Sequence, residues 1–355
     1  MEKPLPPFSC IYSPEIPGIL NKLNCTIAFS TYQAGKVVFM SAINDEKLIQ
    51  LPRTFDTAMG LATTPTKLAV ACKSELVILG NTPGMAPNYP PKPNTYDSIY
   101  LPRATYYTGN LALHDMAFIN DELFAINTLF SCISKIDHHY SFTPVWKPEF
   151  INKLVPEDRC HLNGMAIEND KIKYVTALGT KDIAQGWRDT KMDGGVLMDV
   201  ATNEIILDEL SMPHSPRIYN NELYLLQSAQ GQLIKVDREA KSYEIVTKLD
   251  GFARGMSRVG DYLFIGVSKL RHNHSVFADL PIAKSSFSGI VVVYLPFGGV
   301  VGHIRYETSV DEIYDVKIIE GYKRPAILNT NKETHQMALT TPTDNYWAVK
   351  EENKK

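Results

Sequence analysis

The chain is poor in cysteine, and the cysteines it has form no pattern. Five are spread over 355 residues (Cys10, Cys25, Cys72, Cys132, Cys160), an odd number with no CxxC pair. That excludes a disulfide framework and a zinc ribbon, and it suggests free thiols in a reducing cytoplasm. An excess of either charge is also missing. Thirty-six basic residues meet 39 acidic ones, for a net charge of −3 with no Lys/Arg block, so neither a nucleic-acid surface nor a polybasic membrane patch is expected. No apolar run approaches the ~18–20 residues that span a bilayer. The start, MEKPLPPFSC, has no basic segment leading into an apolar one, so it is not read as a signal peptide. There is no GxGxxG after a strand, no Walker lysine loop, no GxSxG elbow and no HExxH. A nucleotide cofactor and the common hydrolase signatures are therefore not expected.

What is present is repetition. An apolar pair, a polar turn, a β-rich run, a second turn and another β-rich run recur every roughly 40–60 residues. The copies begin near Gly60, Asp115, Gly164, Pro216, Gly255 and Asp315. Their turns (Asn120-Asp121, Asn169-Asp170, Asn220-Asn221, Gly260-Asp261) use residues that tolerate left-handed backbone between two strands. The runs are short and rich in Val, Ile, Leu, Tyr and Phe, which makes them strands. A period of this size with about four strands is a propeller blade. The last copy ends after a strand or two, and the segment from Thr26 has the strands of a blade lacking its first. Joining the two closes a ring and removes the open sheet edges.

The expectation is thus an all-β, six-bladed propeller with its seam near residue 315. Seven blades follow only if Ser13–Asn24 is a strand, and that segment reads better as a short helix capped by Ser13 with Pro14 at its first position. A single domain is expected over residues 13–339, with loosely held tails at 1–12 and 340–355.

In a propeller, the loops leading into the inner strands open on one face together with those joining the second and third strands. Long or unusual loops there mark a site. Three histidines stand near the start of an inner strand, His114, His161 and His214, out of nine in the chain. Imidazoles brought together by blades suit a divalent transition metal (Zn, Fe or Mn) or acid–base chemistry. His161, His214 and Arg254 are the candidate catalytic residues, and His114, His161 and His214 the candidate metal ligands. Asn163 and Asp115 would orient the rings. Asn163, Arg217, Trp187, Arg271, Tyr32 and Gln33 are candidates for holding substrate, with Arg217 and Arg254 as anion holders. Each has a plainer reading: a polar group near an inner strand also serves a neighbouring blade's backbone, and Trp187 is either a lid or the apolar peg of its loop. These residues point to a small-molecule site at the channel mouth, in an enzyme of unknown reaction acting on an anionic or polar substrate. The alternative is a non-catalytic propeller gripping a peptide or protein partner by the same face.

The segments STYQAGK (Ser30–Lys36), DRCHLNGMA (Asp158–Ala166), MPHSPR (Met212–Arg217), GFARGM (Gly251–Met256) and VSKLR (Val267–Arg271) resemble a family of bacterial conserved proteins of unknown function. The closing segment EIYDVKIIEGYKRPAIL is similar as well. The resemblance implies a propeller-type fold and brings no established reaction. A looser likeness to strictosidine-synthase, gluconolactonase and NHL-repeat propellers concerns architecture alone. Of the lactonases' calcium-binding set only Asn163 and Asp315 stand in suitable places, without a third ligand.

Overall fold

The computed structural model describes residues 4–270, 280–284 and 287–348. Six sheets of four or five strands form a ring, and the inner strands pack on one another in a closed circle. The chain is a six-bladed propeller. Blade 1 has the inner strand Asp315–Glu320 followed by Cys25–Thr31, Lys36–Ala42 and Leu48–Thr54. The inner strands of blades 2 to 6 are Leu61–Thr63, Leu113–Ile119, Leu162–Glu168, Pro213–Tyr219 and Phe252–Val259. The seam lies where the repeats place it, in blade 1, with Asp315–Glu320 antiparallel to Cys25–Ser30 over six residue pairs.

Local chemistry explains the blades. Asn120, Asp121, Asn169, Asp170, Asn220 and Asn221 all have φ between 49° and 68°, the backbone that reverses a chain tightly in the direction of strand twist. Ser13–Asn24 contributes no strand, and a helix spans Glu15–Leu23. Its side-chain cap is absent, contrary to expectation. The Ser13 hydroxyl instead accepts the backbone N–H of His303 at 3.0 Å. The helix buries Ile16 and Leu20 over the seam, in one apolar cluster with Ile27, Phe29 and Val38 of blade 1 and Phe264, Ile290 and Ile304 of blade 6. Burying side chains of this kind is worth about 1.5–3 kcal/mol each, so the seam is sealed like any other blade contact. No described helix is long and apolar enough to cross a bilayer.

Both ends are better held than their composition suggests. Cys10–Tyr12 adds a fifth strand to the outer edge of blade 6. Pro325–Ile327 runs parallel to the outer strand of blade 2. Beyond it, Ala338–Thr340 and Asn345–Trp347 form a hairpin, and the Trp347 indole packs on Tyr89 and donates to the Met85 carbonyl at 2.9 Å. Covering an outer edge removes a row of unpaired backbone groups.

Four blades are also latched by a hydroxyl at the end of the second strand. Ser30, Thr128, Ser228 and Ser268 donate to the carbonyls of Met59, Leu162, Ala253 and Ile313, each at the start of the next blade's inner strand. Each bond satisfies a buried backbone acceptor across a blade boundary.

Candidate functional site

Mid-channel, charges close the pore. Asp115 of blade 3 receives the Arg217 guanidinium of blade 5 through two bonds, of 2.7 and 3.0 Å. The same carboxylate accepts the Met165 N–H at 3.0 Å. Lys317 of blade 1 stands 3.7 Å from Asp115 and 3.2 Å from Asp315, and Asp315 accepts the Leu61 N–H at 2.9 Å. Burial pushes the Asp115 carboxyl up, but Arg217 and Lys317 outweigh it and hold it below the usual range. Below this plug, on the side away from the histidines, lies a cavity of about 240 Å³ lined by Thr63, Met116, Phe118 and Ile218.

Above the plug, the starts of the inner strands bring together His114, His161, His214, Arg254 and Tyr314. The His114 and His161 rings meet edge to face at 4.8 Å, and His114 also touches Tyr314 at 5.2 Å. Arg254 lies over the Tyr314 ring at 3.8 Å, and Tyr314 stacks on Tyr32 at 6.0 Å and 22°. Blade 2 adds no ring here. Its Gly60 lies so close to blade 3 that a Cβ would stand 2.8 Å from the His114 carbonyl oxygen.

The hydrogen bonds fix which nitrogen of each imidazole carries the proton. His114 Nδ1 faces the Ala112 carbonyl at 3.1 Å and the Thr128 hydroxyl at 2.7 Å. His214 Nδ1 faces the Met212 carbonyl at 3.0 Å and the Ser228 hydroxyl at 2.9 Å. A carbonyl only accepts, and both hydroxyls already donate to the next blade, so each Nδ1 must be protonated. Nδ1 of His161 lies 2.9 and 3.0 Å from the two oxygens of Asp158, which again requires an N–H. Asp158 is held in turn by Trp187 Nε1 at 3.1 Å. A neutral ring with its proton on Nδ1 presents a bare Nε2, and no described residue hydrogen-bonds the Nε2 of any of the three. Burial first, then His161 and Arg254, keep His114 well below the ordinary imidazole range. Burial and Arg254 lower His214 to about 3. Both are neutral at pH 7.

Several expected roles fall elsewhere. Arg217, expected to be open to an external anion, is paired with Asp115 through two bonds. Arg254 is paired with Glu312, and its buried Nε has no partner among the described residues. Asn163 neither binds nor orients a ring. It donates to the Pro213 carbonyl at 3.0 Å and accepts from Thr176 at 2.7 Å, which joins blades 4 and 5. Asp115 likewise serves the plug, and ring orientation falls to Asp158, Thr128 and Ser228. Trp187 is 4% exposed and packed with Leu178, Met212 and Phe252, 4.5 Å from the His161 ring. It is the peg, not a lid. Tyr32 is exposed at the mouth and Gln33 is exposed beside it. Arg271, like His272 and His274, lies outside the described residues. The three histidines do share one mouth, yet among the described residues no three His, Cys, Asp or Glu side chains are grouped as a metal ion requires. The His214 ring packs edge-on to Phe252 at 5.7 Å.

Asp158, Thr128 and Ser228 escaped the sequence reading. The signal existed: Thr128 and Ser228 each follow their histidine by 14 residues in repeat-equivalent places.

The fold is shared with proteins of very different sequence. A crystal structure of a nidogen/laminin complex contains a chain that superposes with a TM-score of 0.54 at 8% identity, over 84% of this chain and 99% of that one. At that identity only the architecture is common. No curated protein sequence is recognisably similar. The model of a domain of unknown function, DUF4915, matches residues 14–328, nearly the whole ring from the seam helix to the strand after the inner strand of blade 1, and the chain belongs to that family.

Proposed function

We propose that the channel mouth binds a small polar molecule and that His161, oriented by Asp158, takes a proton from it. The observation that carries this reading is the Trp187–Asp158–His161 chain of bonds. A carboxylate on Nδ1 fixes the ring and stabilises the imidazolium that forms when Nε2 accepts a proton, which is the arrangement a general base needs. The mouth is walled by rings, and the plug of Asp115, Arg217 and Lys317 closes its floor, so a bound molecule reaches the imidazoles from one side only. The reaction class favoured is proton abstraction from a hydroxyl, or from a carbon that an adjacent group acidifies. Arg254 and Tyr314 would line the opposite wall.

The test needs no prior substrate. The pure protein is incubated with a complex metabolite extract, and the mixture is followed by mass spectrometry. Wild type is expected to deplete at least one compound. Asp158→Asn and His161→Gln should slow that depletion by about 10²–10⁴-fold, the usual worth of a positioned base, with unchanged melting temperature. Identical profiles for wild type and both variants would remove the catalytic reading.

A further inference from the structure

We propose that the molecule taken by this mouth is uncharged and polyhydroxylated, a sugar or cyclitol whose ring face rests on Tyr32 and whose hydroxyls meet the imidazole Nε2 atoms. This rests on the small-molecule reading above and names its substrate class. Three observations carry it.

The first is the hydrogen-bond inventory. The bonds at Nδ1 leave three acceptors at the mouth, on His114, His161 and His214. A hydroxyl both donates and accepts, so the hydroxyls of a polyol can donate to all three. A carboxylate or phosphate brings acceptors against acceptors. An ammonium group brings donors but must shed the hydration of a full charge among neutral imidazoles, which is costly.

The second is charge. Glu312 neutralises Arg254, and Asp158 adds a further negative charge beside His161. With His114 and His214 neutral, nothing at the mouth repays an anion for its lost hydration.

The third is the platform. Tyr32 is 46% exposed, yet its ring is fixed by stacking on Tyr314, which Arg254 backs from its own side. A rigid exposed aromatic face beside hydrogen-bonding groups suits a ligand with one face of C–H bonds and a rim of hydroxyls.

Saturation-transfer NMR on the full chain tests this with a panel of neutral monosaccharides and cyclitols against D-glucuronate, glucose 6-phosphate and glucosamine. Transfer to the C–H protons of at least one neutral probe is expected, about tenfold weaker in Tyr32→Ala, an exposed position where folding is not at stake. A charged probe binding more tightly than every neutral one would overturn the assignment. So would neutral binding indifferent to Tyr32→Ala, or no neutral binding at all. The two proposals fail separately: depletion of an anionic metabolite that depends on His161 refutes the substrate class alone, whereas sugar binding without any depletion refutes the base alone.

Discussion

A chain ended at Val310 is expected not to fold. The cut removes Asp315–Glu320, and with it the six-pair ladder to Cys25–Ser30 and the buried side chains of Ile313, Val316, Ile318 and Ile319. At about 1.5–3 kcal/mol for each apolar side chain, the loss is on the order of 10 kcal/mol, comparable to the whole net stability of an ordinary domain. The opened ring would also expose Ile27, Phe29 and Val38 beside an unpaired edge. Size-exclusion chromatography and thermal melting followed by circular dichroism read the outcome. A chain ended at Leu328, which keeps the ring and loses the C-terminal hairpin with the short turn Glu333–Met337 before it, is the control. It should remain monodisperse with a lower melting temperature, because Tyr89 loses its Trp347 partner. A cooperative, monodisperse product ending at Val310 would contradict ring closure at blade 1.

The second large effect is expected at the plug. Asp115→Ala strands the Arg217 guanidinium in the channel, while Lys317 keeps Asp315 at 3.2 Å. Breaking a buried pair from one side costs about 3–5 kcal/mol, which urea denaturation at pH 7 would measure. A loss under about 1 kcal/mol would show that the network is solvated and worth no more than a surface pair. The pH dependence follows in sign. The folded state holds the Asp115 carboxyl below its usual range, so its contribution is complete above the unfolded value, about 3.9, and is lost as pH falls through the folded one. Asp315 runs the other way, because burial raises its carboxyl, with Asp115 adding to the effect against the pull of Lys317 and Arg217. The Asp115 part is therefore read as the difference between wild type and Asp115→Asn. Below about pH 4 that difference should shrink.

The architecture was legible because it is written in local chemistry repeated six times. Asn-Asp and Asn-Asn turns between short β-branched runs specify hairpins, the missing first strand at Thr26 and the surplus strand at Asp315 specify the closure, and no distant contact is needed to read either. The positions of His114, His161 and His214 at equivalent starts likewise located the mouth. What those residues do there depends on partners far away in the chain. Arg217 looked free because its carboxylate, Asp115, is 102 residues away and two blades distant. Arg254 looked free because Glu312 lies at the entry to the next blade's inner strand, 58 residues on. Asn163 was read as facing a ligand, but a bulge in its strand turns it toward the Pro213 carbonyl. Anion holding was thus inferred from unpaired arginines that are in fact paired. The imidazole tautomers depend on Thr128 and Ser228, whose hydroxyls are committed to the next blade, and that commitment is a property of the ring rather than of any one repeat.

The account depends most on three imidazoles that offer bare Nε2 atoms to the channel mouth. Two-dimensional ¹⁵N–¹H spectra of the histidine side chains at pH 7, assigned with His114→Gln, His161→Gln and His214→Gln, measure this directly. His114, His161 and His214 should each show a protonated Nδ1 and an unprotonated Nε2, and His214 should keep that pattern well below pH 6, since its value lies at about 3. An Nε2–H on any of the three at pH 7, or a His214 that titrates near the ordinary value of about 6.5, would contradict the site as described.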